Sequence, residues 1–372
     1  MTKIIIAGGG TGGHVYPGLA VAEEVRRRHP DWEVAFVGTL RGLETRVLPE
    51  TGFPLHLISV RALPRRPGLS QLVAGFCFLQ GLMQSLRLLR SERPAVVLGT
   101  GGFVSAPVAL AARLLRIPVV IQEQNSVPGL TNRWLSGMVN EVHINFSESR
   151  QYFRRKNHLK LTGNPVRREV LSGDPRATAE KYGLDPARFT LFVFGGSRGA
   201  HSLNQAVVNG WPLLSHQPEL QLIMQTGSED YEWVSRHVSG PGVVVRDYLP
   251  HISEAYCVAD LVVARAGAMT ISEITACGLP SILVPYPHAA QKHQLTNAQN
   301  LVSRGAAAML ADEDMMGERL AREVLALMED RARLKTMARN ARSFGRVDAA
   351  EKIVRSLERY ALGGTLAAEG AG

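Results

Sequence analysis

The stretch Gly8-Gly9-Gly10-Thr11-Gly12-Gly13-His14-Val15-Tyr16-Pro17-Gly18 follows directly on the apolar run of residues 3–7. A short β-branched run, a glycine-rich turn and then a helical stretch mark the start of a doubly wound α/β domain. The run is too short for the core of a signal peptide and reads as a first buried strand. Further short runs rich in Val and Ile lie at residues 34–38, 95–99, 118–122 and 142–146. Each is bounded by Gly, Pro or polar residues, the pattern of a parallel sheet buried on both faces.

The second half repeats the rhythm at residues 190–195, 220–225, 243–246, 261–265 and 281–285, and its first run also ends in glycines, as Gly195-Gly196-Ser197-Arg198-Gly199. The expected fold is therefore α/β, with two doubly wound Rossmann-like domains and a cleft between them. An Asn164-Pro165 step disfavours a continuing helix, so the domains are expected at 1–163 and 164–345. Apolar residues at helical spacing from Ala350 to Tyr360 predict a C-terminal helix over 346–362 that packs back on the first domain, followed by a disordered tail at 363–372.

The 372 residues suit two cores, and the formal charge of +9 favours an anionic partner. Cys77, Cys257 and Cys277 are far apart, which argues against a disulfide scaffold or a Cys-based zinc site and fits a reducing cytosol. No continuous apolar run approaches the roughly 20 residues that span a bilayer.

A glycine turn between strand and helix lets backbone N–H groups approach a phosphate, although glycine also serves simply to make the turn. The first loop lacks the acid that an NAD-binding fingerprint needs at the end of the second strand, where Gly38 and Thr39 stand. His14 follows the glycines at a helix start, where a neutral imidazole could take a hydroxyl proton or simply bond locally. Glu273 follows Arg265-Ala266-Gly267-Ala268 and could bind a ribose diol or complement a helix dipole. Gln291, His293, Gln294 and Asn297 offer donors and acceptors suited to sugar hydroxyls, or a solvated loop.

The segments GGTGGHVYPGLA (9–20), LGTGGFVSAP (98–107), EQNSVPGLTN (123–132), GNPVR (163–167), GGSRGAHSLN (195–204), RAGAMTISEI (265–274) and HQLTNA (293–298) closely resemble the MurG family of peptidoglycan N-acetylglucosaminyltransferases. The resemblance covers about residues 3–360 and implies a two-domain GT-B fold and an inverting transfer without metal or cofactor. It implies UDP-N-acetylglucosamine as donor and a lipid-linked muramyl-peptide as acceptor. The donor is expected mainly in the C-terminal half and the acceptor in the N-terminal half.

Carried over residue by residue, His14 activates the acceptor hydroxyl, Glu273 binds the ribose, and Ser197 with its neighbouring amides contacts the diphosphate. Arg167 and Arg265 lie along the nucleotide, Leu249 holds uracil through its backbone with Tyr248 beside the ring, and Asn125, the Ala268 amide, His293 and Gln294 reach the sugar. Thr11, Gly12 and Gly13 join the donor contacts, while the first loop's amides serve the lipid pyrophosphate and Gly101, Gly102 and Phe103 the acceptor side. Three residues depart from the family pattern: Arg198, Ala266 and His293.

Membrane contact is expected over residues 69–89, with Leu72 and Phe76 in an apolar run and Arg65 and Arg66 among six Arg against one Glu in residues 61–93. Apolar residues flanked by basic ones suit an anionic surface, though a buried helix with snorkelling Arg would read alike. Such an enzyme would sit peripherally on the cytoplasmic face of the cell membrane, with other cell-wall synthesis proteins as possible partners. The nearest alternative of the same fold is a UDP-N-acetylglucosamine 2-epimerase or another glycolipid glycosyltransferase. A nucleic-acid binder would need aromatics interleaved with the basic residues, and aromatics are only 6%.

Overall fold

The computed structural model describes residues 1–61 and 69–363. It divides into two compact units, Met1–Arg167 together with the chain from Val347 onward, and Arg168–Arg346.

The first unit carries strands β1 (Lys3–Gly8), β2 (Glu33–Gly38), β3 (Leu55–Leu57), β4 (Val96–Gly101), β5 (Val119–Glu123), β6 (Glu141–Ile144) and β7 (Leu159–Leu161). Its helices are α1 (Gly12–Arg28), α2 (Glu44–Val47), α3 (Leu69–Glu92), α4 (Ser105–Leu114) and α5 (Leu130–Leu135). All strand pairs are parallel, in the order β3-β2-β1-β4-β5-β6-β7. The order reverses between β1 and β4, so the glycine loop after β1 and the Gly101–Gly102 turn after β4 meet at a topological switch point. In open α/β sheets that crevice is where ligands bind.

Unit two has β8 (Phe189–Phe194), β9 (Leu220–Gln225), β10 (Val243–Arg246), β11 (Leu261–Arg265), β12 (Ser281–Val284) and β13 (Ala308–Met309). Its helices are α6 (Pro175–Tyr182), α7 (His201–Leu214), α8 (Tyr231–His237), α9 (Ile252–Val258), α10 (Ala268–Cys277), α11 (His293–Val302), α12 (Gly317–Glu329) and α13 (Arg331–Phe344). The sheet is again parallel, ordered β10-β9-β8-β11-β12-β13, with its switch point between β8 and β11. Strands expected from the sequence appear within a residue or two of their predicted bounds. The three that were not foreseen, β3, β7 and β13, are edge strands of two or three residues, too short to display a pattern.

The chain passes to the second unit after Arg167. The Asn164-Pro165 step belongs to the first, where buried Asn164 accepts from Gln122 at 2.7 Å and its N–H donates to Asn145 at 3.0 Å. Residues 364–372, expected to be a tail, lie outside the described residues.

The last helix, α14 (Ala349–Ala361), completes the first unit's core. Ile353, Val354 and Leu357 are fully buried against Ile4, Ile6, Leu19 and Leu98. Fully burying side chains of this size is worth about 1.5–3 kcal/mol each. Polar contacts fix its register. Glu358 accepts from Arg28 at 2.9 Å and lies 2.7 Å from His29. At its other side Glu141 on β6 accepts from Ser356 at 2.6 Å and Arg359 at 3.0 Å, with Lys160 at 3.1 Å and the His143 Nε2 at 2.9 Å.

Burial pushes the Glu141 carboxyl up, but His143, Ser356 and Lys160 favour the carboxylate and together hold it far below the usual range. A carboxyl depressed on folding stabilises the fold fully above its unfolded pKa and loses that contribution as pH falls towards its folded value. Urea midpoints are therefore expected to drop as pH is lowered below about 4.5, with a shallower drop in Glu141→Gln. Equal pH slopes for the two proteins would show that Glu141 does not carry the effect.

Candidate active site

In the first unit the site is built on His14, in the first turn of α1. The Thr100 carbonyl lies 3.1 Å from His14 Nδ1, and the Thr100 hydroxyl donates back to the His14 carbonyl at 2.8 Å. A carbonyl can only accept, so Nδ1 carries the proton. Gly101 and Gly102 have φ of +102° and +76°. A Cβ at Gly101 would lie 2.7 Å from His14 Nδ1, and one at Gly102 2.7 Å from the Gly9 carbonyl. The second turn thus lies directly against the imidazole, and only glycine permits that approach. Phe103 follows, half-buried against the core beneath.

The first glycine loop is not simply an open row of amides. Glu44, fully buried at the start of α2, accepts from Gly10 N–H at 2.8 Å, from Thr39 N–H at 2.8 Å and from the Thr39 hydroxyl at 3.0 Å. A Cβ at Gly9, Gly38 or Gly42 would strike this carboxylate. The expectation that the loop's amides serve a pyrophosphate is therefore corrected at Gly10, whose N–H already meets an internal anion. Thr11 caps α1 in extended conformation and its carbonyl accepts from His14 and Val15. Gly12 and Gly13 open the helix, with the Tyr16 ring over Gly12 and the Arg167 guanidinium 4.7 Å from that ring. Asn125 is half-buried, its N–H held at 2.9 Å by Glu123. Glu123 also accepts from Asn132 at 2.8 Å and Gly129 at 3.1 Å, and burial pushes its carboxyl up. It anchors the whole 125–129 loop and was not singled out from the sequence.

On the same unit, α3 turns Leu72, Phe76, Leu79 and Met83 outward, each more than half exposed. Their spacing of four, three and four residues puts them on one helix face. The opposite side packs through Gly81, Ser85 and Leu89, and a Cβ at Gly81 would come within 2.9 Å of the Ser59 carbonyl. Residues 71–92 are long and apolar enough, on average, to cross a membrane, although only 22% of the apolar window is buried. Gln71, Gln80, Gln84 and Arg87 interrupt the run, so the helix is apolar on average without being continuously so. Arg65 and Arg66 lie outside the described residues.

In the second unit, Ser197 and Arg198 are exposed on the turn between β8 and α7, with Gly196 and Gly199 at positive φ. A Cβ at Gly199 would collide with the Thr226 carbonyl, and one at Gly227 with the Arg198 carbonyl, so this turn and the one after β9 are in direct backbone contact. Leu249 is buried with Tyr248 half-exposed beside it, and its N–H is held at 2.9 Å by the Gln225 side chain. That amide is therefore engaged within the protein.

Ala268 starts α10, and Glu273 in its second turn accepts from the buried Tyr256 hydroxyl at 3.1 Å. Arg265 is buried at the end of β11, 2.5 Å from Asp312 and 2.7 Å from the Ser202 hydroxyl. Ala266 is fully buried, its carbonyl 3.4 Å from the Asn297 amide. Gln291 and Lys292 hold left-handed φ of 53° and 52° just before α11, an uncommon conformation for residues with side chains. They set up His293, whose Nδ1 meets the Ala290 carbonyl at 2.7 Å, and Gln294, which accepts from Tyr286 N–H at 2.9 Å. Asp312 and Gln225 were not anticipated, since their partners are distant in sequence. Among the described residues no group of three or more His, Cys, Asp or Glu is arranged to hold a metal ion.

Residues 4–144 match the N-terminal domain model of glycosyltransferase family 28, and residues 190–353 match that family's C-terminal domain. A Geobacter sulfurreducens UDP-N-acetylglucosamine–N-acetylmuramyl-(pentapeptide) pyrophosphoryl-undecaprenol N-acetylglucosamine transferase is 44% identical over 355 residues, covering 95% of this chain and 97% of that one. Among solved structures, Acinetobacter baumannii MurG aligns with a TM-score of 0.75 at 29% identity, over 96% of this chain and all of that one. A UDP-N-acetylglucosamine 2-epimerase from Neisseria meningitidis aligns with a TM-score of 0.68 over 96% of this chain and all of that one. Its 12% identity shows likeness of fold alone.

Proposed function

The chain belongs to glycosyltransferase family 28, with the GT-B α/β fold, and from that premise we propose how its residues perform the transfer. It is an N-acetylglucosaminyltransferase of peptidoglycan synthesis, passing N-acetylglucosamine from UDP-N-acetylglucosamine to N-acetylmuramyl-(pentapeptide) pyrophosphoryl-undecaprenol. The observation that carries this is the 44% identity spread over both halves and 95% of the chain. A radiolabelled-donor assay tests it. Label should pass to lipid only when the lipid-pyrophosphoryl muramyl acceptor is present, whereas an epimerase would convert the donor without any acceptor.

In the proposed reaction the muramyl 4-hydroxyl attacks the anomeric carbon as its proton passes to His14 Nε2. The bond to UDP breaks on the opposite face, which inverts the anomeric centre. Two charges on the leaving diphosphate need stabilising. The exposed Ser197 and Arg198 on the glycine turn ahead of α7 supply a helix start and a cation there. Glu273 holds the ribose, its carboxylate oriented by Tyr256. Arg265, tied to Asp312 and Ser202, acts less as a mobile phosphate clamp than as the rigid floor beneath the 265–268 turn. In this reading Ala268, His293 and Gln294 of the second unit contact the sugar, and Asn125, Thr11, Gly12, Gly13 and Arg167 are the first unit's own proposed donor contacts.

The polyprenyl acceptor brings the enzyme to a membrane surface, and the Leu72–Phe76–Leu79–Met83 face of α3 is the proposed contact, with Arg87, Arg90 and Arg93 exposed toward its end. Phe76→Ser with Leu72→Ser is expected to weaken co-sedimentation with anionic vesicles roughly tenfold or more, from the apolar area withheld. Unchanged sedimentation would move the contact elsewhere.

A further inference from the structure

We propose that Gln225 is a positioning residue for donor binding, locking the segment that holds uracil to the turn that holds the diphosphate. The proposal rests on the donor reading above. Gln225 ends β9, the strand lying between β8 and β10, and is 2% exposed. Its Nε2 donates to the Gly196 carbonyl at 3.0 Å, in the turn after β8. Its Oε1 accepts from Leu249 N–H at 2.9 Å, in the segment after β10.

A primary amide offers one donor edge and one acceptor edge on a single rigid plane, which is what a carbonyl on one side and an N–H on the other require. No other uncharged side chain of this length can satisfy both. The neighbouring backbone is already closely fitted. Thr226 N–H meets the Arg246 carbonyl at 3.0 Å, Gly227 N–H meets the Asp247 carbonyl at 3.0 Å, and Gly199 abuts Thr226 without room for a Cβ. Gln225 is the side chain that sets the spacing of Leu249 from Gly196 across these contacts. Because the base and the diphosphate belong to one molecule, that spacing governs how well both are held at once, and matters far less for either part alone.

The test is binding of UDP and of uridine to the full-length protein by calorimetry, with melting temperatures recorded in parallel. Gln225→Glu keeps the acceptor facing Leu249 and loses the donor facing Gly196. It should weaken UDP roughly tenfold or more while uridine stays within about threefold. Gln225→Met loses both bonds and should weaken both ligands, UDP the more. Should that variant fail to fold, Gln225→Asn, which keeps the amide but shortens its reach, replaces it with the same expectation. Unchanged UDP affinity in Gln225→Glu, or an equal loss for UDP and uridine accompanied by a lower melting temperature, would overturn the positioning role and leave the donor reading intact. Failure of the wild-type protein to bind UDP would overturn both.

Discussion

Replacing His14 with alanine is expected to lower kcat by about a hundredfold to ten-thousandfold while the KM for UDP-N-acetylglucosamine stays near its wild-type value. General-base assistance acts on the reacting hydroxyl and adds little to donor affinity, so the loss should fall on turnover. The structure supports the assignment through the tautomer, because the Thr100 carbonyl claims the Nδ1 proton. It also makes Gly101 part of the same device, since a methyl group there would push the ring from its place. Steady-state kinetics with saturating lipid acceptor decide the matter. Turnover within a few-fold of wild type would remove His14 from the proton transfer.

The second large effect is expected in stability. Glu44→Ala should destabilise the first unit by about 3 kcal/mol, because two backbone N–H groups and one hydroxyl lose a charged acceptor in a site closed to water. Gln at this position keeps the shape but turns an NH2 toward other donors, so Glu44→Gln should lose roughly half as much. The cost also reaches function. Gly10 N–H is tethered to Glu44, and the loop carrying it leads directly into His14, so the alanine variant should lose turnover even where it remains folded. Urea unfolding with an unchanged m-value, alongside kinetics, reads both effects. A destabilisation below about 0.5 kcal/mol would show that solvent replaces the carboxylate and that the cradle is not needed.

How much of this was legible in the sequence follows from how far each signal reaches. Central strands such as 34–38 and 261–265 declare themselves, because burial on both faces demands a continuous apolar run. The edge strands β3, β7 and β13 carry no such demand. His14, the 195–199 turn and Glu273 could be singled out as candidates because they sit beside strand ends and glycine turns. Glu44, Glu123, Gln225 and Asp312 could not. Each is an ordinary polar residue locally and takes its meaning from partners such as Gly10 for Glu44, Leu249 for Gln225 and Arg265 for Asp312. Residues 69–89 stood out as a membrane contact, but that they form one long helix, and that its apolar residues face outward, required the packing of Gly81, Ser85 and Leu89 to be known.

The return of α14 to the first unit has a consequence for the order of assembly during synthesis. The second unit is one unbroken stretch of chain and has all its own strands once Arg346 has left the ribosome. The first unit is begun earliest and finished last, because Ile353, Val354 and Leu357 cover the Ile4, Ile6 and Leu98 face only after the rest of the chain is made. At about 5–20 residues per second, that apolar face waits roughly 10–40 s between the emergence of Arg167 and that of α14. For that interval the first unit stays incompletely covered, and only its own C-terminus completes it.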